Sequence, residues 1–384
     1  MTIDGENTTT HVPNLIAATP YVWMDPAKIP SRKFPYGRHY LRQFVSLLVA
    51  PGGMGKSSLA LIEALAMVAH KELLGEAVPE RCRVWLWNGE DPMEEFQRKI
   101  AAACLHFEID PKMLEGWLFV DSGRDMPLVL VTQGRDGIQV NEKAVAEIIK
   151  TIMHNKIDVF IVDPFVLTHR VLENDNGAID LVIRQWARIA DVTGAAIGLV
   201  HHVRKLGAGQ SSYSVDDSRG ASSLLSAARI ARVMNRMTKS EGEKAGVDNH
   251  QEYFRVENGK ANLSPPSEHT DWRRIVSHKL ENGDYVGVVE RWNWPDPLAD
   301  MTVADLITVQ KAIDGKGYRS SAQSPNWVGT AIAQALDLDV DEAKPQIKSM
   351  IAIWTRSGAL RVSRVADAKG TERPIVEVGQ WANT

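Results

Sequence analysis

Phe44-Val45-Ser46-Leu47-Leu48-Val49-Ala50-Pro51-Gly52-Gly53-Met54-Gly55-Lys56-Ser57 runs from an apolar strand through a glycine turn into the start of a helix. This order is that of a phosphate-binding P-loop. Successive backbone N–H groups can converge on phosphate oxygens only where no Cβ intrudes, which is the use of Gly52, Gly53 and Gly55. Lys56 is placed to reach the β- and γ-phosphates of a nucleoside triphosphate, and the Ser57 hydroxyl to coordinate Mg²⁺. The helix that begins near Ser57 adds the positive end of its dipole. Ala50 stands where the strict pattern has glycine, a position that accepts a small residue. The predicted nucleotide cradle is therefore Gly52, Gly53, Met54, Gly55, Lys56, Ser57 and Ser58.

Outward from this stretch, strands alternate with helices. A helix is predicted near 57–70, a strand at 83–88, a helix near 92–106 and a strand at 117–121 leading into a long loop. Val145, Ile148, Ile149 and Ile152 fall at helical spacing within 141–154 and lead into the strand Asp158-Val159-Phe160-Ile161-Val162. A helix near 178–192 precedes Ala195-Ala196-Ile197-Gly198-Leu199-Val200. Near-continuous apolar strands between amphipathic helices predict an α/β fold, a mostly parallel sheet with helices on both faces. The stretch 203–218 is Gly/Ser-rich and reads as a mobile loop. Strands near 252–257 and 274–290 follow, the latter with a turn at Asn282-Gly283.

The flanks differ in character. Residues 1–42 carry Pro20, Pro26, Pro30 and Pro35 with aromatics between them and read as an N-terminal arm. The P-loop core is predicted over 43–295. From 301 to 384, helices near 302–314, 327–336 and 342–357 precede Leu360-Arg361-Val362 and Ile375-Val376-Glu377-Val378, which flank a Lys369-Gly370 turn. Three helices and a terminal hairpin form a winged-helix pattern. From Ala343 onward there are seven basic and three acidic residues. They suit a nucleic-acid surface, and a protein-docking role stays open beside it.

Composition narrows the class. The 384 residues, 44% hydrophobic and 24% charged, are enough for one large soluble core and a second small domain. Cys82 and Cys104 have no CxxC spacing, which predicts a reducing, cytoplasmic setting. Neither a bilayer-length apolar run nor a signal-peptide pattern is present, which predicts no membrane association. The net charge of −4 neither marks a nucleic-acid binder nor excludes one, because a ring multiplies a few cations per subunit by its symmetry.

Two further segments carry chemistry. Asp158-Val159-Phe160-Ile161-Val162-Asp163 is an apolar strand ending in a carboxylate, so Asp163 would hold Mg²⁺ opposite Ser57. Asn88-Gly89-Glu90-Asp91 ends the strand after the P-loop helix, where strand ends point toward the phosphates. Glu90 is the predicted group that orients the attacking water. Asp91 is its rival, or else the cap of a helix with Pro92 at its first position.

This order, closed by His201-His202 at a further strand end, resembles the RecA-like fold. More narrowly it is similar to the hexameric replicative helicases of the RepA group. The resemblance covers roughly residues 20 to 290. It includes Ile29-Pro30-Ser31-Arg32, Trp87-Asn88-Gly89-Glu90-Asp91-Pro92, His169-Arg170, Glu173-Asn174-Asp175-Asn176, Ser218-Arg219-Gly220-Ala221 and Gly259-Lys260-Ala261-Asn262. It implies ATP with Mg²⁺ as ligands and a homo-oligomeric ring, of six subunits in that group, with single-stranded DNA in its channel. It implies Glu90 and Lys56 as catalytic groups, His202 as the residue sensing the γ-phosphate, and Arg219 as a finger reaching a neighbouring subunit's nucleotide. Arg204 and Lys205 compete with Arg219 for that last role. The loops 165–177 and 203–217 would face DNA, offering His169, Arg170, Arg204 and Lys205 as phosphate contacts. Glu173 and Asp175 sit poorly in such a loop, and an organising role for them stays open. The winged-helix segment would recruit DNA or a replication or recombination partner. A recombination-type ATPase that binds DNA without unwinding it, and a regulator using ATP as a switch, remain open readings.

Overall fold

Six consecutive buried residues make β1 (Val45–Ala50) the middle strand of a nine-stranded sheet, flanked on both sides by parallel partners. The computed structural model describes residues 18–203, 212–214, 224–225, 228–261, 270–366 and 372–383. The chain divides into two compact units, Met1–Lys33 and Phe34–Thr384. In the first, a 3-10 turn at Pro26–Lys28 is capped by Asp25, whose carboxylate accepts the Ala27 N–H at 3.0 Å.

In the second unit the sheet runs from edge to edge through 285–291, 271–279, 253–261, 230–236, β1, 196–202, 159–163, 84–88 and 118–122. The parallel strands are β2 (Val84–Asn88), β3 (Leu118–Ser122), β6 (Val159–Asp163), β8 (Ala196–His202) and β9 (Ile230–Arg236), together with β1. Three antiparallel strands extend one edge: β10 (Tyr253–Ala261), β11 (Asp271–Lys279) and β12 (Tyr285–Arg291). Alternate side chains serve opposite faces. Leu48, Val84, Leu86, Val159 and Ile161 pack with α1 (Lys56–Ala69) and α2 (Met93–His106). Leu47, Val49, Trp85, Phe160 and Val162 pack with α3 (Glu142–Asn155) and α4 (Asn176–Thr193). This is the mostly parallel, doubly covered sheet that the apolar strands predict.

One segment departs from that expectation. The long loop predicted after β3 contains a hairpin, β4 (Val131–Gly134) and β5 (Gly137–Val140). It pairs in parallel with β7 (His169–Arg170) as a separate three-stranded sheet. Apart from Val131 the hairpin is largely exposed, so no burial pattern marks it in the sequence.

Toward the C-terminus, α5 (Lys239–Ala245) follows β9 behind a capping box made by Thr238 and Glu241. Then come α6 (Val303–Ile313), α7 (Val328–Ala335) and α8 (Lys344–Arg356), with the antiparallel hairpin β13 (Leu360–Ala366) and β14 (Glu372–Val378). Ile313, Val328, Ile332, Ile347, Met350, Trp354 and Val376 give these elements a core of their own. Pro345 lies in the first turn of α8 and Gly358, at φ +83°, follows its end, as the sequence predicts. The Lys369-Gly370 turn lies outside the described residues. The hairpin arginines are paired along the strands, Arg361 with Glu377 at 3.3 Å and Arg364 with Glu372 at 4.0 Å. Among the described residues no helix is long and apolar enough to cross a membrane.

Candidate active site

The ends of β1, β8, β6 and β2 lie side by side at the carboxyl edge of the sheet, where open α/β folds place their ligands. Each delivers one predicted group: the P-loop after β1, His202 at the end of β8, Asp163 at the end of β6, and Glu90 two residues past β2.

The glycines of the P-loop answer two different needs. A Cβ added to Gly52 or Gly53 would meet nothing within 4 Å, so both border open space of the kind phosphates require. Gly55 is the N-cap of α1 at φ +85°, and a Cβ there would sit 3.0 Å from Ile275 Cδ1 on β11. That position disfavours a side chain chiefly by its left-handed φ, and the tip of Ile275 would have to shift as well. Lys56 is buried and turned back on its own loop, its Nζ donating to the carbonyl oxygens of Ala50 at 2.9 Å and Pro51 at 2.6 Å. Burial lowers the ammonium to about 8, against the pull of Asp163 and Glu90.

Asp163 is 2% exposed and hydrogen-bonded with the Ser57 side chain. Burial pushes its carboxyl up to about 6; Ser57 and Lys56 draw it down, and Glu90 and Asp91 push it further up. Two oxygen donors side by side, below the open space over Gly52 and Gly53, fit a Mg²⁺-bound triphosphate. Mg²⁺ takes one or two protein oxygens and completes its shell with phosphate and water.

Glu90 is exposed at the mouth and acts electrostatically on Lys56, Asp163 and His202. Asp91 is taken up by an ion pair with Lys99 at 2.5 Å. It does not cap α2, whose N-cap is Pro92 with Met93 as the first helical residue. The two rivals are thus held differently, one carboxylate at the mouth and one fixed to the next helix. His202 is half-buried; burial and Lys56 lower its pKa while Glu90 raises it. His201 points to the other face, buried edge-on to Phe165 with ring centroids 6.0 Å apart, and burial holds it neutral, lowered to about 4.

Of the predicted DNA contacts, His169 is corrected. It is 3% exposed and packed against Phe165, and burial lowers it to about 4, so it offers no positive charge at neutral pH. Arg170 is exposed on β7, with Nη1 donating to the carbonyl oxygens of His169 at 2.9 Å and Leu167 at 3.3 Å. Asp175 is the N-cap of α4 and accepts the Ala178 N–H at 3.0 Å, which gives it the organising role left open above. Arg204, Lys205 and Arg219 lie outside the described residues.

Two residues of the site carry no role in the sequence reading. Asn88 Oδ1 accepts the N–H groups of Glu90 at 2.8 Å and Asp91 at 2.9 Å, while its Nδ2 donates to Asp163 Oδ2 at 3.2 Å. One buried amide thus fixes both the turn bearing Glu90 and the carboxylate of the neighbouring strand. An Asn two residues before the turn residue is the readable signal of such an Asx turn. Arg236 ends β9 and donates from Nη2 to the Gly53 carbonyl oxygen. Only the placement of β9 beside β1 brings it there, so no local pattern announces it.

A family model described as an AAA domain matches residues 16–208, just over half of the chain. The matched span includes the P-loop, the Asn88–Asp91 turn, Asp163 and both histidines. With this cradle and this sheet edge inside the match, the chain belongs to the AAA-domain family of P-loop ATPases.

Proposed function

We propose that the protein is a ring-forming motor of the RepA-helicase type that hydrolyses ATP at subunit interfaces to move on single-stranded DNA. The observation that carries this reading is the convergence of Lys56, Asp163, Glu90 and His202 from four adjacent strand ends. The end of β8 at His202 runs on into the segment assigned to DNA.

Lys56 leaves the carbonyls of Ala50 and Pro51 and transfers its donors to the β- and γ-phosphates, while the N–H groups of the glycine turn cradle the phosphate oxygens. Ser57 and Asp163 would hold Mg²⁺, which neutralises charge on those phosphates. Glu90, kept in register by Asn88, orients and polarises the attacking water. His202, neutral at pH 7, can hydrogen-bond a γ-phosphate oxygen and pass its loss into the chain beyond Val203. Arg219 of a neighbouring subunit would stabilise charge on the transferring group.

Unwinding of a forked duplex with ATP, abolished by Lys56→Ala, together with closed rings in negative-stain images, is the expected result. DNA-dependent hydrolysis with open filaments and no unwinding would favour the recombination-type reading instead. Strictly monomeric protein hydrolysing at full rate with saturating ATP and DNA would defeat the shared-site motor altogether.

A further inference from the structure

We propose that the cleft between α5 and α8 is a binding site for single-stranded nucleic acid, with Trp294 stacking a base and Lys244, Lys348 and Arg356 holding flanking phosphates. The inference deepens the motor reading and rests on it for the nature of the ligand.

The cleft has a volume of about 840 Å³, and the segment 294–297 lines it together with α5 and α8. That volume lies within the range of ligand sites in proteins. Trp294 is 38% exposed in it. Its ring is held from behind by Trp272 at 5.4 Å and Trp292 at 5.8 Å between centroids, and these two also meet each other edge-on at 6.1 Å. An indole fixed by two others is a stacking platform ordered before any ligand arrives, and stacking on it needs no particular base.

The walls supply charge. Lys244 comes from α5, and Lys348 and Arg356 from one face of α8. None of the three has an ion-pair partner among the described residues, unlike the hairpin arginines. Two acids also line the cleft. Asp296 is engaged in its own turn, accepting the Leu298 N–H at 2.9 Å, and Glu243 lies on the α5 wall. Three cations without ion-pair partners against two carboxylates leave the lining net positive, which favours an anionic ligand. An aromatic face among them favours one that carries bases.

The geometry also separates a single strand from a duplex. α8 is the third of three helices ahead of a hairpin, the helix that a winged-helix domain lays in the major groove. Here that face is turned onto the ATPase body. α5 packs on α8, and a Cβ at Gly246 would stand 3.6 Å from Pro345. A major groove admits one helix, not a helix backed on its reading face by another. An unpaired strand can enter edgewise where a duplex cannot.

The test uses the full-length chain without nucleotide and a 5′-fluorescein-labelled dT20, read by anisotropy across a salt series. Lys348→Glu/Arg356→Glu, both on exposed positions, should weaken binding at least tenfold. It should also reduce the slope of log affinity against log salt by roughly 1.4, the share of two phosphate contacts on a single strand. Trp294→Ala should weaken binding about tenfold with the slope unchanged. Hydrolysis measured without DNA should stay at the wild-type rate in each. Wild-type affinity for dT20 in both variants overturns the proposal. So does an equal loss on a 20-base-pair duplex, which would make paired DNA the ligand, or capture of a phosphopeptide in place of dT20. Wild-type protein that binds dT20 yet neither hydrolyses faster nor unwinds would defeat the motor reading and leave the cleft standing.

Discussion

Arg236, the last residue of β9, donates from Nη2 to the carbonyl oxygen of Gly53 at 2.8 Å and from Nη1 to that of Gln251 at 2.6 Å. One guanidinium thus ties the nucleotide turn to the chain that follows α5. Removing it frees the turn without touching the phosphates. Arg236→Ala should raise the dissociation constant for ATP by about tenfold or more, since one charge-assisted hydrogen bond is worth about 1.5–3 kcal/mol. A fluorescent-nucleotide titration that shows no change would make the contact incidental.

Asn88 should behave as a positioning residue. Glu90→Gln is expected to cut kcat by about 10²- to 10³-fold with nucleotide affinity kept, the usual cost of losing a water-orienting carboxylate. Asn88→Ala should cut it by about 10-fold or more. In the double variant the losses should fall short of multiplying, because both act through the same carboxylate. Multiplying losses would show that Asn88 acts independently of Glu90.

Gly52 and Gly55 should fail for different reasons. Gly52→Ala leaves the fold unstrained but fills phosphate space, so melting temperature should hold while ATP affinity falls at least about tenfold. Gly55→Ala places a Cβ at φ +85° against Ile275 and should cost about 1–3 kcal/mol of stability. Thermal melts beside nucleotide titrations separate the two.

Below the nucleotide turn, α1 is anchored by a buried charge pair. Glu63 accepts from Arg232 of β9 at 2.6 and 2.9 Å and from the Tyr40 hydroxyl at 2.9 Å. His39 Nε2 stands 3.5 Å away, too long for a good hydrogen bond. Burial raises the Glu63 carboxyl and Arg232 more than offsets it, leaving its pKa far below the ordinary value; burial lowers His39. Both shifts have one sign. A depressed pKa gives stability that is present above the group's ordinary value and lost as pH falls. Acid lability should therefore begin below about pH 6.5 with His39 and deepen below about pH 4.5 with Glu63. Glu63→Gln should destabilise by about 3–5 kcal/mol at pH 7, because it strands Arg232, and Glu63→Leu/Arg232→Met should recover much of that loss. Melts at pH 7 and pH 4 test both statements, and a single variant as stable as wild type would refute the pairing.

The sequence shows the core of this protein because its constraints are local. Glycines before Lys56 and an apolar run ending in Asp163 leave marks within a few residues, and helix boundaries in 301–384 are legible within two residues from Pro345 and Gly358. The hairpin 131–140 is not legible, since exposed short strands carry no periodic burial. Nor are Arg236 and the Trp294 cleft, because one depends on which strand lies beside β1 and the other on how α8 packs against α5. His169 illustrates the limit most sharply: beside Arg170 it reads as a cation, and only burial under Phe165 makes it a neutral core group.

The pairing of Val131 with His169 and of Thr132 with Arg170 makes the chain after Asp163 part of a paddle rather than a free strap. A displacement of Arg170 would pull on the 131–140 ribbon through these two pairs, so the travel of one arginine would reach a surface larger than itself. Amide exchange at Thr132 would then keep time with turnover.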